Sequence, residues 1–145
     1  MNHLYTAEAL ATGDGRNGHG RSADGRLDLD LATPKELGGS GEGTNPEELF
    51  AIGYAACFHS ALRMVARSEK ADVTDSAVGA RVSLDSDDAG KFGISVDLEI
   101  SLPAVDAAAA RDLVEKAHQC ARTRTRPAAT SRSRSHWPTT ENGHR

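Results

Sequence analysis

Gly43-Thr44-Asn45-Pro46-Glu47-Glu48-Leu49-Phe50-Ala51-Ile52-Gly53-Tyr54-Ala55-Ala56-Cys57-Phe58 is the stretch that decides the fold. Asn45 offers a side-chain oxygen for an N-cap. Pro46 suits the first helical position, where a missing N–H costs nothing, and Glu48, three residues after the cap, completes a capping box. A helix therefore begins here. From Leu49 to Val65 it carries Phe50, Ile52, Tyr54, Phe58, Leu62 and Met64 among alanines and a glycine, with no charge until Arg63. Protein is expected to cover most of the circumference of such a helix, making it central to the fold.

Cys57 lies within this apolar run and has two readings. Free cysteine packs as a small core hydrophobe, and a cysteine whose thiolate is stabilised by a nearby cation is a nucleophile. His59, two residues away, faces another side of the helix and reads as a packing or surface residue rather than a base. No His/Cys cluster has metal-ligand spacing and no cofactor motif is visible, so neither a metal nor a bound cofactor is expected.

Outside the helix the pattern is that of an α+β domain. Leu4 to Thr12 reads as a first strand, and Leu27, Leu29 and Leu31 alternate with Arg26, Asp28 and Asp30 as a half-buried strand requires. Val73 to Leu84 is a further strand. Phe92, Ile94, Val96, Leu98, Ile100 and Leu102 alternate without a break with small or polar residues, which predicts a strand paired through an Asp85 to Gly90 turn in an antiparallel hairpin. Asp106 caps a second helix from Ala107 to about His118, with Leu113, Val114 and Ala117 on its apolar side.

The Gly43 to Phe58 run resembles the signature of the organic hydroperoxide resistance proteins, a branch of the OsmC-like thiol peroxidases. Leu4 to Thr12, the Gly13 to Gly18 loop, Leu27 to Gly39 and Lys91 to Gln119 are similar to that family too, so the likeness covers about the first 119 residues. It implies an OsmC-like fold in which an antiparallel sheet packs on a central helix, an intertwined homodimer, and a cysteine-based organic hydroperoxide reductase acting in oxidative stress defence. By this resemblance Cys57 is the peroxidatic nucleophile. Burial alone would raise a thiol pKa, so the thiolate needs a neighbouring cation; the matching residue is Arg16, in Gly13-Asp14-Gly15-Arg16-Asn17-Gly18, with Glu47 holding its planar fork. Without the resemblance, Arg16 is a solvated turn residue and Glu47 a first-turn carboxylate favoured by the helix dipole.

Phe50, Tyr54 and Phe58 are assigned to the apolar tail of the substrate by their helix positions. The reductant implied by resemblance is a lipoyl-type dithiol, free or on a lipoylated protein, that is not bound as a cofactor. Spacing adds a constraint: in a continuous helix Glu47 and Cys57 lie about 15 Å apart along the axis. Either the helix bends, or a second chain brings the arginine and carboxylate to the thiol.

Composition changes after Gln119. Residues 121–145 carry six arginines and one acidic residue, net +5, whereas residues 1–120 carry eleven Lys and Arg against twenty Asp and Glu, net −9. The tail has no Leu, Ile, Val, Met or Phe and is expected to be disordered, which divides the chain into a 1–120 peroxidase domain and a 121–145 Arg-rich tail. At face value Arg122, Arg124, Arg126, Arg132 and Arg134 make a nucleic-acid-binding tail.

A frameshift explains the tail better. Family members follow the His-Gln step with Val-Cys-Pro-Tyr-Ser-Asn-Ala-Thr-Arg-Gly-Asn and a final strand. Let Cys120 to Thr130 be written as degenerate codons with arginine as CGN, each codon then read from the third base of the one before. The same Cys-Pro-Tyr-Ser-Asn-Ala-Thr-Arg-Gly-Asn becomes permitted, in order. With serine as TCN, Ser131 to Pro138 in that frame give an aliphatic residue or Phe alternating with a small one, then Leu and Ala, and Thr140 to Glu141 permit a stop. One base lost before Cys120 accounts for all of this. Cys120 then falls one position before the family's resolving cysteine, about 100° round a helix, and its role as the resolving thiol is in doubt.

The chain has 145 residues, 38% of them hydrophobic, and a formal net charge of −4, as one domain would. Met1 to Gly20 contains no apolar run of signal or membrane length. Two cysteines in this context favour a reducing cytoplasm, with no membrane partner. Two other functional classes stand beside the peroxidase: a catalytically impaired copy or single-use redox sensor, and nucleic-acid association through the tail.

Overall fold

The computed structural model describes residues 2–121. Residues 122–145 of the expected tail, with its basic cluster, lie outside those residues. The chain divides into two compact units, Met1–Phe50 and Ala51–Arg145.

The first unit is a three-stranded antiparallel sheet of β1 (Ala9–Thr12), β2 (His19–Ser22) and β3 (Asp28–Asp30), in that order. The first strand is shorter than Leu4 to Thr12, because the strand opposite is only four residues long, from Ala9↔Ser22 to Thr12↔His19. His19-Gly20-Arg21-Ser22 carries no apolar alternation and is not legible as a strand from sequence. It forms because the Gly13 to Gly18 turn folds it back onto β1. His19 then sits opposite Asp30, with Nδ1 2.8 Å from Asp30 Oδ1 and Nε2 against Asp28 Oδ1. Those hydrogen bonds, to Asp30 first and then to Asp28, raise its pKa.

Helix α1 (Pro46–Ser68) begins as its sequence requires. The Glu48 N–H donates to Asn45 Oδ1 at 2.9 Å. The Glu48 carboxylate accepts from the Asn45 side-chain amide at 3.2 Å and from the Thr44 hydroxyl at 3.0 Å, so the cap closes through side chains.

The second unit holds the core. Strands β4 (Ala77–Ser86) and β5 (Phe92–Ser101) form an antiparallel hairpin over ten residue pairs, from Ala77↔Ser101 to Ser86↔Phe92. The strand starts at Ala77 instead of Val73 because Asp72 Oδ1 accepts from both the N–H and the hydroxyl of Thr74, bending the chain there. Helix α2 (Ala107–Cys120) is capped by Asp106, whose carboxylate accepts from Ala109 N–H at 2.8 Å. Tyr54, Phe58, Leu62, Val65 and Ala66 from α1 meet Val96 and Leu98 of β5 and Leu113 and Ala117 of α2 in one cluster. Lys116 ties Asp112 to Glu69, just past the end of α1.

Within the single chain, coverage of α1 is partial. Only a stripe of α1 is buried, and Ile52 and Met64 are 69% and 56% exposed. A helix apolar on most sides has a core on one side only. By length and composition α1 could cross a membrane, but its buried stripe packs it as a core helix.

Leu62 is fully buried, so Leu62→Ala is expected to lower unfolding free energy by about 3 kcal/mol, read as a lower urea midpoint with unchanged m. A raised His19 pKa stabilises the first unit fully below the ordinary value of 6.5 and is lost as pH rises through the raised value. Wild type should therefore lose thermal stability as pH rises over that interval, and His19→Asn should flatten the dependence.

Candidate active site

Arg16 stands on a single 3-10 turn, Gly15–Asn17, between β1 and β2. The turn exists because of its glycines. Gly15 has φ +56°, a left-handed conformation that costs other residues a Cβ clash. A Cβ on Gly18 would lie 2.1 Å from the Thr12 carbonyl oxygen, closer than any side chain permits. Asn17 Oδ1 accepts from Thr33 N–H at 2.9 Å and pins the turn to the chain after β3. Asn17 therefore positions Arg16, a role that sequence reasoning missed; its only signal was a side-chain amide in a Gly-rich loop.

From this turn Arg16 reaches the first turn of α1. Nη1 donates to Glu47 Oε2 at 2.9 Å and Nη2 to Glu47 Oε1 at 2.6 Å. Two parallel bonds of this kind fix the plane of the guanidinium as well as its place. The Arg16 side chain is 38% exposed and that of Glu47 15%, so the carboxylate is covered while the cation keeps an accessible side. Hydrogen bonding to Arg16 holds the Glu47 carboxyl below the usual range, against the opposing effect of burial. The same bond raises the Arg16 pKa further, leaving it a permanent cation. Glu48, one residue on, is committed to the cap.

Cys57 is half-buried on α1, and Cys120, the last residue of α2, is exposed; both are free thiols. Phe50, Tyr54 and Cys57 follow one another at four- and three-residue steps, hence along one helix face. Tyr54 and Phe58, two of the three residues assigned to the substrate tail, belong to the core cluster, whereas Phe50 is 37% exposed. Phe58, next to Cys57, is 1% exposed, and its ring packs against His118 of α2 with centroids 4.7 Å apart. His59 Nε2 and Ser76 Oγ are hydrogen-bonded at 2.9 Å, which anchors the helix near the start of β4. Among the described residues no group of three His, Cys, Asp or Glu side chains could hold a metal ion.

Helix α1 is uninterrupted from Pro46 to Ser68. Glu47 and Cys57 are ten residues apart in it, a rise of about 15 Å at 1.5 Å per helical residue.

The family model described as OsmC-like protein matches residues 39–124. The organic hydroperoxide resistance protein of Xanthomonas axonopodis pv. citri is 50% identical over 122 residues, covering 80% of this chain and 82% of that protein. Organic hydroperoxide resistance protein OhrB of Bacillus subtilis is 44% identical over 117 residues, covering 80% and 85% of the two chains. The OhrB crystal structure superposes with a TM-score of 0.79 at 39% identity, covering 91% of this chain and all of that one. A crystal structure of an organic hydroperoxide resistance protein from Legionella pneumophila gives 0.78 at 46% identity, covering 83% and 88%. With an α+β fold, a signature helix and identities at this level over four-fifths of its length, this chain belongs to the OsmC-like family.

Proposed function

We propose that this chain is a thiol-dependent peroxidase that reduces organic hydroperoxides, fatty-acid hydroperoxides among them, in defence against oxidative stress. The observation that carries the reading is the bidentate Arg16–Glu47 pair, a fixed cation with an accessible side, in a chain whose relatives bear the name organic hydroperoxide resistance protein.

In this reading the Cys57 thiolate attacks the terminal oxygen of the peroxide. An S–O bond forms as the O–O bond breaks, and the alkoxide leaves with a proton as the alcohol. Cys57 is oxidised to a sulfenic acid. The guanidinium stabilises the thiolate and turns its outer N–H groups to the peroxide oxygens, while Glu47 keeps its plane aimed. Phe50, and the edge of Tyr54, would take the substrate's carbon tail. A second thiol then attacks the sulfenic sulfur, forming a disulfide and releasing water, and a lipoyl-type dithiol reduces that disulfide by thiol–disulfide exchange.

In this reading the guanidinium that meets Cys57 belongs to a second copy, which the ten helical residues between Glu47 and Cys57 favour. The working unit is thus an intertwined homodimer, and apolar side chains exposed on α1, Ile52 and Met64, suit burial by that copy. Two free cysteines fit a reducing cytoplasm.

A second reading, a single-use redox sensor or impaired copy, is favoured by one observation: Cys120 is an exposed last helical residue whose neighbours depart from the family. Many turnovers of cumene hydroperoxide with dihydrolipoamide would exclude it; one turnover per chain would establish it. Cys57→Ser is expected to abolish peroxide consumption while leaving the circular dichroism spectrum unchanged, and full activity in that variant would overturn the peroxidase. Arg16→Lys keeps the charge but loses the fork, so kcat/KM should fall by about 10²-fold in steady-state assays.

A further inference from the structure

The hairpin β4–β5 carries apolar surface that the described residues leave open. At its turn end Leu84 pairs with Ile94 and Ser86 with Phe92. Ile94 is 53% and Phe92 70% exposed, although Val96 and Leu98, further along the same face, are buried. Among the described residues β4 and β5 pair only with each other. Among the described residues no third strand lies beside this pair, and a two-stranded sheet is marginal on its own. The described chain ends at Ala121, just past α2, and the match to the family model ends at residue 124.

The in-frame residues that follow offer no Leu, Ile, Val, Met or Phe. The neighbouring frame does, and it does so whatever the third bases are. With serine as TCN, the codons read across Thr130–Ser131, Arg132–Ser133 and Arg134–Ser135 all have the form NTC, which encodes only Phe, Leu, Ile or Val. With arginine as CGN, those read across Ser131–Arg132, Ser133–Arg134 and Ser135–His136 are NCG or NCA and encode only Ser, Pro, Thr or Ala. His136–Trp137 then gives Leu. Aliphatic or aromatic residues thus fall at four alternate positions, the period of a strand with one face on a core.

We infer that the gene for this chain has lost one base between the codons of Gln119 and Cys120, and that the strand encoded in the other frame is the third strand of the β4–β5 sheet, paired on an outer edge and covering Phe92 and Ile94. This rests on the family and the sheet, and it stands whether or not the peroxidase chemistry does.

Two measurements test it. Resequencing residues 119–141 in the source genome reads the frame. A lost base requires T as the third base of Arg122 and Thr123, A as that of Arg124 and Arg126, and TCN at Ser131, Ser133 and Ser135; AGY serines or AGR arginines there overturn it. The full chain and a chain with one base restored after codon 119 are then compared. The restored chain should melt at least about 5 °C higher and bind several-fold less of a hydrophobic dye. A full chain that fails to fold while the restored one folds supports the missing strand equally. Equal melting and dye binding, or a restored chain that alone fails to fold, overturns the strand assignment even where the codons agree.

Discussion

Where α1 starts governs the rest of the molecule. A helix turns 100° per residue, so its first residue sets the direction of every side chain after it. Asn45 is nearly buried and receives the Glu48 N–H, Pro46 cannot be drawn further into a preceding turn, and Glu48 is held by Thr44 and Asn45. With the phase locked, Glu47 meets the Arg16 turn, and Tyr54, Phe58, Leu62 and Val65 fall on the stripe that faces β5 and α2. A slip of one residue would turn both sets away together. The same lock places Cys57 at the edge of that stripe, half-buried, with a fully covered ring next to it.

What is readable in advance follows from how locally each feature is encoded. The cap, both helices and the β4–β5 hairpin depend on neighbours in sequence and on simple period, and they are found within a few residues of their expected places. The first sheet is different. His19 to Ser22 has no apolar rhythm and becomes a strand only through its partners, and the length of β1 is set by β2. The Arg16–Glu47 contact joins residues 31 apart; no period predicts it, and only the family likeness does. Asn17 and its bond to Thr33 are invisible to sequence for the same reason.

The apolar circumference of α1 is legible as composition, but its burial is not. Sequence reports that Ile52 and Met64 are hydrophobic; it does not report which surface meets them, and within this chain they are exposed. Phe92 and Ile94 raise the same question on the sheet. These residues lie on different elements, and the reasons for them differ. The α1 positions suit a second copy, whereas the sheet positions lie on a hairpin that, among the described residues, has no third strand beside it.

The length of α1 also bears on how damage is shared between copies. In the proposed homodimer the fork and the sulfur that it serves are contributed by different copies, so harm to one half of the machinery leaves the other half intact in the same polypeptide. A copy stripped of its second thiol still carries a complete Arg16–Glu47 fork. In that proposed arrangement such a copy would still lend its fork to the sulfur of an intact partner.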